Sequence, residues 1–238
     1  MFRIMILITV GVFALAGRAF AAEIKMTIGD DSMTIVSCDG EDIWRMYTAV
    51  SSPGWKPSRG YQAEGGYPKK NTDGSYLLRY SLAPPEQQGV VNVTVKVSLH
   101  GDSADFWYTF EVPQPLRLNS IHVTTRFAVD PSAGKMLRLG GADITLPSGE
   151  YQKGKFILFT GSAERVTYPI PNVPIELTTD PNTRCVVHDR REWQEKDLEV
   201  RLNLLPPGEA QEVPAGTKLE KKITVRVPGL KSSSVGTE

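Results

Sequence analysis

His188-Asp189-Arg190-Arg191-Glu192-Trp193 is the densest group of reactive side chains in this 238-residue chain. Six consecutive residues offer an imidazole, two carboxylates, two guanidiniums and an indole. Together they could supply an acid, a base, a bidentate clamp and a stacking platform. Arginine in particular suits the carboxylate of an acidic sugar. The same residues could instead close on themselves, with the charges paired and Trp193 folded onto a core. A second group lies in residues 51–75, the one long irregular stretch, where Trp55, Arg59, Tyr61 and Tyr67 stand among glycines and prolines. Aromatic faces stack on the C–H faces of sugar rings, and Arg59, Gln62 and Glu64 could bond the hydroxyls. The alternative is that these aromatics pack down. The candidate ligand contacts are therefore Trp55, Arg59, Tyr61, Tyr67, His188, Arg190, Arg191 and Trp193.

The two remaining histidines, His100 and His122, fall on the polar registers of strands and read as solvated or hydrogen-bonded surface residues. The functional alternative places them on a sheet face lining a ligand concavity. No zinc-type histidine spacing, phosphate-binding loop, nucleophile elbow or dinucleotide fingerprint occurs. No catalytic residue, metal ligand or cofactor is assigned. Neighbouring carboxylates such as Asp30-Asp31, Glu41-Asp42 and Asp102/Asp105 read as solvated turns.

The elements that must hold these groups are strands. Val91, Val93, Val95, Val97 and Leu99 alternate with Asn92, Thr94, Lys96, Ser98 and His100. One face is thus buried and the other wet. Phe106 to Val112, Ile121 to Val129, Leu198 to Leu204 and Ile223 to Val227 repeat the pattern. Trp107 falls on the face opposite Phe106 and Tyr108, which makes it either a second-core residue, the favoured reading, or a residue exposed on a binding sheet. Gly101-Asp102 marks a hairpin, and Asp130 to Gly134, Asp180-Pro181-Asn182 and Pro206-Pro207-Gly208 mark turns. No helical repeat of ten residues appears; only Glu192 to Lys196 could form a helical turn. The fold class is all-β, a two-layer antiparallel β-sandwich.

Met1 to Ala22 lacks acidic residues and lysine. Met5 to Ala16 is an apolar run, and Ala19-Phe20-Ala21 matches a cleavage site. Residues 1–21 are expected to be a secretory signal peptide cut near Ala21, residues 22–230 a single sandwich domain, and residues 231–238 a flexible tail. The whole chain balances 27 basic against 27 acidic residues; removing Arg3 and Arg18 leaves a net charge of −2. This near-neutral balance gives no reason to expect nucleic acid. No second apolar run could span a bilayer. Export to the periplasm or beyond would permit a disulfide, for which Cys38 and Cys185 are the only candidates. Two separate buried thiols are the alternative.

Several segments carry a resemblance: Ser103 to Phe110, Ile121 to Phe127, Gly140 to Pro147, and the closing run from Leu204 through Gly216 to Val227. In strand order and turn chemistry the chain resembles the β-supersandwich (galactose-mutarotase-like) domains that accompany bacterial polysaccharide-degrading enzymes. The resemblance implies a supersandwich-like fold and a carbohydrate setting. Catalytic members of that group use histidine and acidic side chains in a sheet concavity. Their motifs do not match this chain residue by residue, so no role is carried over.

The expected function is that of a secreted, non-catalytic β-sandwich protein that binds an oligo- or polysaccharide or takes part in its processing. Two alternatives stand beside it. One is a small epimerase or glycoside-cleaving enzyme on the same scaffold, using His188 or His122 with Asp189 or Glu192. The other is a cell-envelope protein whose partner is another protein.

Overall fold

The computed structural model describes residues 22–58 and 61–236, of residues 61 and 62 the backbone only. The signal-peptide segment lies outside the described residues. In chain order the strands are β1 (Ile24–Ile28), β2 (Thr34–Cys38), β3 (Glu41–Ser52), β4 (Lys56–Pro57), β5 (Tyr61–Ala63), β6 (Lys69–Lys70) and β7 (Tyr76–Leu82). They continue as β8 (Val91–His100), β9 (Ser103–Val112), β10 (Leu116–Leu118), β11 (Ser120–Ala128), β12 (Met136–Arg138), β13 (Asp143–Thr145) and β14 (Ile157–Ser162). The last are β15 (Arg165–Tyr168), β16 (Ile175–Thr179), β17 (Arg184–Asp189), β18 (Asp197–Asn203), β19 (Gln211–Val213), β20 (Thr217–Arg226) and β21 (Ser232–Val235).

The chain is all-β, as the alternating pattern predicts. The first sheet runs β14-β17-β18-β11-β3-β2-β1-β21, with β4 hydrogen-bonded to β3. The second runs β13-β12-β15-β16-β20-β9-β8-β7-β5, with β6 on β7. A short pair, β10-β19, stands apart. Pairing is antiparallel except between β1 and β21.

Register follows from the period of two. Val93, Val95 and Val97 lie opposite Phe110, Tyr108 and Phe106 and share their buried face. The three rings stack down β9 with centroids 6.0 Å apart. Trp44 and Phe127, paired across β3 and β11, meet Tyr168 of the second sheet edge-on at 5.7 and 5.3 Å. Both sheets contribute to one continuous core cluster. The hairpin between β8 and β9 closes at His100↔Ser103. Gly101 there has φ +57°, a conformation that costs a side-chain-bearing residue energy.

Four expectations change. Residues 51–75 are not one aromatic loop: β4 pairs with the first sheet, whereas β5 and β6 pair with β7 in the second. The stretch crosses between layers, and its short strands were hidden by their prolines and glycines. Trp107 is not a core residue; it is 37% exposed on the outer face of the second sheet, with the Lys222 ammonium 5.0 Å from its ring centre. The helical turn lies at Arg190–Trp193, not 192–196, and ends where Gln194 turns left-handed. Within 231–238, Ser232–Val235 pairs in parallel with β1 and satisfies backbone groups on that edge.

The cysteines are also separated. Cys38 is on β2 and Cys185 on β17, four strands apart in one sheet. At about 4.8 Å per strand that is roughly 19 Å, far beyond the ~7 Å Cα separation a disulfide tolerates. Both are free thiols, and burial pushes Cys185 up to about 12. Alkylation of the unreduced, denatured protein is expected to label two thiols. Native protein is expected to label at Cys38 while Cys185 stays protected; a Cys38–Cys185 peptide in a non-reducing digest would overturn this assignment.

Candidate functional site

The outward face of the first sheet carries the polar registers of four adjacent strands. On β18 these are Asp197, Glu199, Arg201 and Asn203. On β11 they are His122, Thr124 and Arg126, lying opposite Asn203, Arg201 and Glu199. On β17, His188 lies opposite Glu199. On β3, Arg45 and Tyr47 lie opposite Arg126 and Thr124.

Glu199 is the hub of this face. Its side chain is 2% exposed, yet it is ionised. Its Oε2 accepts from His188 Nδ1 at 3.2 Å and from Arg201 Nε at 2.7 Å. Its Oε1 accepts from Arg190 Nη1 at 3.5 Å, with Arg126 Nε at 3.8 Å. Burial alone would raise its pKa. The His188 hydrogen bond and the charges of Arg201 and Arg190 outweigh that and hold it well below the usual carboxylate range. An ionised carboxylate only accepts, so His188 carries its proton on Nδ1.

His122 is hydrogen-bonded, as one of the two expectations had it, but it is 3% exposed and not a surface residue. Ser120 Oγ lies 3.0 Å from its Nδ1. Burial, and then the Arg201 charge, push it down to about 3, so it is neutral near pH 7. Burial also raises Tyr47 to about 12, against the pull of Arg126, whose guanidinium lies 5.2 Å from the Tyr47 ring centre.

The turn after β17 is organised by its own carboxylates. Asp189 caps the 3₁₀ turn by accepting from Arg191 N at 3.1 Å, and its two oxygens also take the Arg191 guanidinium. Arg191 Nη1 donates to the Gly149 carbonyl at 2.6 Å. Arg190 Nε donates to Asp197 Oδ1 at 3.0 Å. Glu192 accepts from the Tyr151 hydroxyl. Both arginines are thus already engaged by carboxylates, which removes the clamp for an acidic sugar at this turn. Trp193 is left 48% exposed. Phe156 meets its ring edge-on at 5.3 Å, and the Arg190 guanidinium lies 5.7 Å from it.

The segment that follows Trp193, residues 194–197, forms one wall of a cleft of about 490 Å³. Its walls include Asp42 and Arg45 of β3, Arg126 of β11, and Gln194, Glu195 and Asp197. The Nε of Arg126 is buried and makes no hydrogen bond among the described residues, while its guanidinium stands 3.7 Å from Asp197 and 3.8 Å from Glu199. Burial raises Asp197, and Arg126 and Arg190 pull it back only in part.

Of the eight candidate contacts, His188, Arg190, Arg191 and Trp193 come together in this region. Trp55 does not join them. It is 45% exposed in the β3–β4 turn, its backbone N donating to Asn119 Oδ1 at 3.2 Å. That turn is at the Ser51/Ser120 end of the sheet, six residues along β11 from Arg126, about 20 Å at the rise of a strand. Tyr67 lies elsewhere again, stacked on Arg79 of the second sheet at 5.2 Å. Arg59 is outside the described residues, as is the side chain of Tyr61. The residues sequence reading missed are Glu199, Arg201, Arg126, Asp197 and Tyr47. Their one signal is charge at alternate positions on strands whose other face is apolar.

No protein-family model matches the chain, and no curated protein does. Solved structures that it resembles include galactose-mutarotase-like ones. A galactose mutarotase related enzyme from Lactobacillus acidophilus is 7% identical and superposes with a TM-score of 0.49, over 84% of this chain and 93% of its own. A galactose mutarotase-like protein from Lactobacillus casei is 11% identical with a TM-score of 0.47, over 87% and 100%. A provisional aldose 1-epimerase from Escherichia coli K12 is 10% identical with a TM-score of 0.48, over 87% and 98%. No residue of these proteins is carried onto this chain, whose own geometry supplies the chemistry.

The buried network makes acid the weak direction. Unfolded histidine binds a proton near pH 6.5, whereas folded His122 binds one only near pH 3. Between those values the unfolded state holds the extra proton, so stability falls as pH falls, by up to about 1.4 kcal/mol per pH unit. Glu199 adds a further loss below the usual carboxylate range, where only the unfolded chain is protonated at first. Urea unfolding at a series of pH values is expected to show this slope, and His122→Gln is expected to flatten it between pH 6 and 5. An unchanged slope in the variant would rule out His122 as its source. Glu199→Gln leaves Arg201 without a carboxylate and takes one from Arg190 and Arg126, and is expected to destabilise the fold by about 3 kcal/mol at neutral pH.

Proposed function

We propose that this is an exported, non-catalytic protein that binds a neutral saccharide on the polar face of its first sheet. The observation that carries the reading is the exposed Trp193 indole, next in the chain to the Gln194, Glu195 and Asp197 wall of a cleft that also contains Arg45 and Arg126. An indole face covers the C–H face of a pyranose, while fixed guanidinium and carboxylate groups bond its hydroxyls. Arg45, Arg126 and Lys196 stand against Asp42, Glu195 and Asp197, so the cleft has no surplus charge to attract an acid. The export part of the proposal rests on the Met1 to Ala21 pattern alone.

One observation favours an epimerase as a second reading: His122, His188 and Glu199 share one face. The state of Glu199 argues against it. A carboxylate held ionised by surrounding cations is a poor proton acceptor, and a general base works best with a pKa near the operating pH.

A glycan array followed by calorimetry tests the binding reading. Trp193→Ala is expected to weaken the best neutral oligosaccharide about tenfold, the scale of one good ring contact. Trp107→Ala, on the other sheet, is expected to leave it unchanged. Equal affinity in Trp193→Ala, or no neutral glycan bound, would remove the proposal. Polarimetry with glucose and galactose separates the readings: no acceleration of mutarotation is expected. An acceleration abolished by His122→Gln would make the protein an enzyme.

A further inference from the structure

The outward face of the second sheet carries one row in which charge and apolar surface alternate. Lys69 of β6 lies opposite Leu77 of β7, and Leu77 opposite Lys96 of β8. Lys96 in turn lies opposite Trp107 of β9, and Trp107 opposite Lys222 of β20. Directly opposed residues point to the same side of a sheet. Their neighbours along the strands, Leu78, Val95, Val97, Tyr108 and Ile223, are buried, so the row is turned away from the core. Lysines stand on the first, third and fifth strands, with Leu77 and Trp107 between them. At about 4.8 Å per strand the cations are about 10 Å apart and the row is roughly 19 Å long.

The row is open to a ligand. Trp107, Lys69, Lys96 and Lys222 are all exposed. Lys69 has no hydrogen bond, ion pair or ring contact among the described residues. The Lys222 ammonium makes no hydrogen bond among them; it stands 5.0 Å from the Trp107 ring centre and 4.0 Å from Asp105. Lys96 donates to Asp73 at 2.8 Å, an exposed pair that a ligand carboxylate can share at little cost. The flanking rows are mixed: Asp105 and Thr224 on one side, Thr109 and Glu220 on the other. The face is thus not the uniformly basic patch that holds an anionic membrane. An extended peptide presents side chains to one face every ~7 Å, out of step with cations about 10 Å apart. A polymer of pyranose rings is in step. One ring is about as long as one strand spacing, and in a two-fold ribbon every second ring turns its carboxylate to the same side.

We propose that this row binds an extended, equatorially linked polymer of hexuronates lying across the strands. Carboxylates of every second ring meet Lys69, Lys96 and Lys222. The C–H surfaces of the rings between them lie on Leu77 and Trp107. Five rings cover the row. The site is on the other sheet from the Trp193 cleft and does not rest on the neutral-sugar reading of that cleft.

Calorimetry with a β-1,4-linked glucuronate pentamer tests the assignment. The pentamer is expected to bind one to one, and more weakly as salt rises. The dimer, too short to reach two lysines, and the neutral glucose pentamer of the same linkage are each expected to bind about tenfold more weakly. Lys69→Met and Lys222→Met are each expected to weaken the pentamer about threefold, the scale of one exposed ion pair. Trp107→Ala is expected to weaken it about tenfold. All three side chains are exposed, so folding is retained. Trp193→Ala is expected to change nothing here, which separates this row from the cleft. The proposal fails if the pentamer does not bind, if the dimer or the neutral pentamer matches it, or if Trp107→Ala and Lys222→Met keep the parent affinity. A glutamate decapeptide that binds as tightly as the pentamer would make the face a peptide site and overturn it as well.

Discussion

A carboxylate cannot be left alone inside a sheet. Glu199 is almost fully buried and ionised, and an isolated charge in such a place would be prohibitively costly. It stays charged only because β17, β11, β18 and the turn after β17 each deliver a cationic or hydrogen-bonding partner. That requirement fixes the register of three strands at once. A shift of one residue in β11 or β17 would turn Arg126 or His188 to the core face and leave the carboxylate unpaired.

The same constraint builds the candidate site. Arg190 is held by Glu199 and Asp197, and this anchors the 3₁₀ turn that projects Trp193. Asp189 caps that turn and Gln194 ends it in a left-handed conformation, so the indole stands clear of the core. The cost of ordering the turn is met inside the network. The exposed indole and the cleft wall that follows it in the chain are therefore present before any ligand arrives, which is the condition for binding without a large ordering penalty.

How much of this is legible in the sequence varies residue by residue. Val91 to Leu99 and Phe106 to Val112 announce their faces, and the structure keeps each inward residue inward. His122 obeys the same alternation and sits on the polar side, yet it is buried. Alternation tells which face a residue takes but not whether something covers that face. Trp107 shows the converse: its size suggested a core, but its register places it outward. The paired charges of the 189–193 turn were visible as an alternative. Their actual partners, Asp197, Glu199 and Gly149, were not.

The sequence alone determined the class of the fold and the two-sidedness of its strands, because a period of two is a local property of the chain. It also determined where the chain turns, through proline, glycine and Asp-Pro pairs, and that no large electrostatic field guides a ligand. Only the tertiary structure decided which polar residues meet. Arg126 and Glu199 are 73 positions apart and become neighbours because β11 and β18 pair. Cys38 and Cys185 stay apart because four strand steps separate them. The physical reason is the same in both cases. Side-chain alternation is set by adjacent residues, whereas strand order is set by how the apolar faces of the whole chain can be buried together.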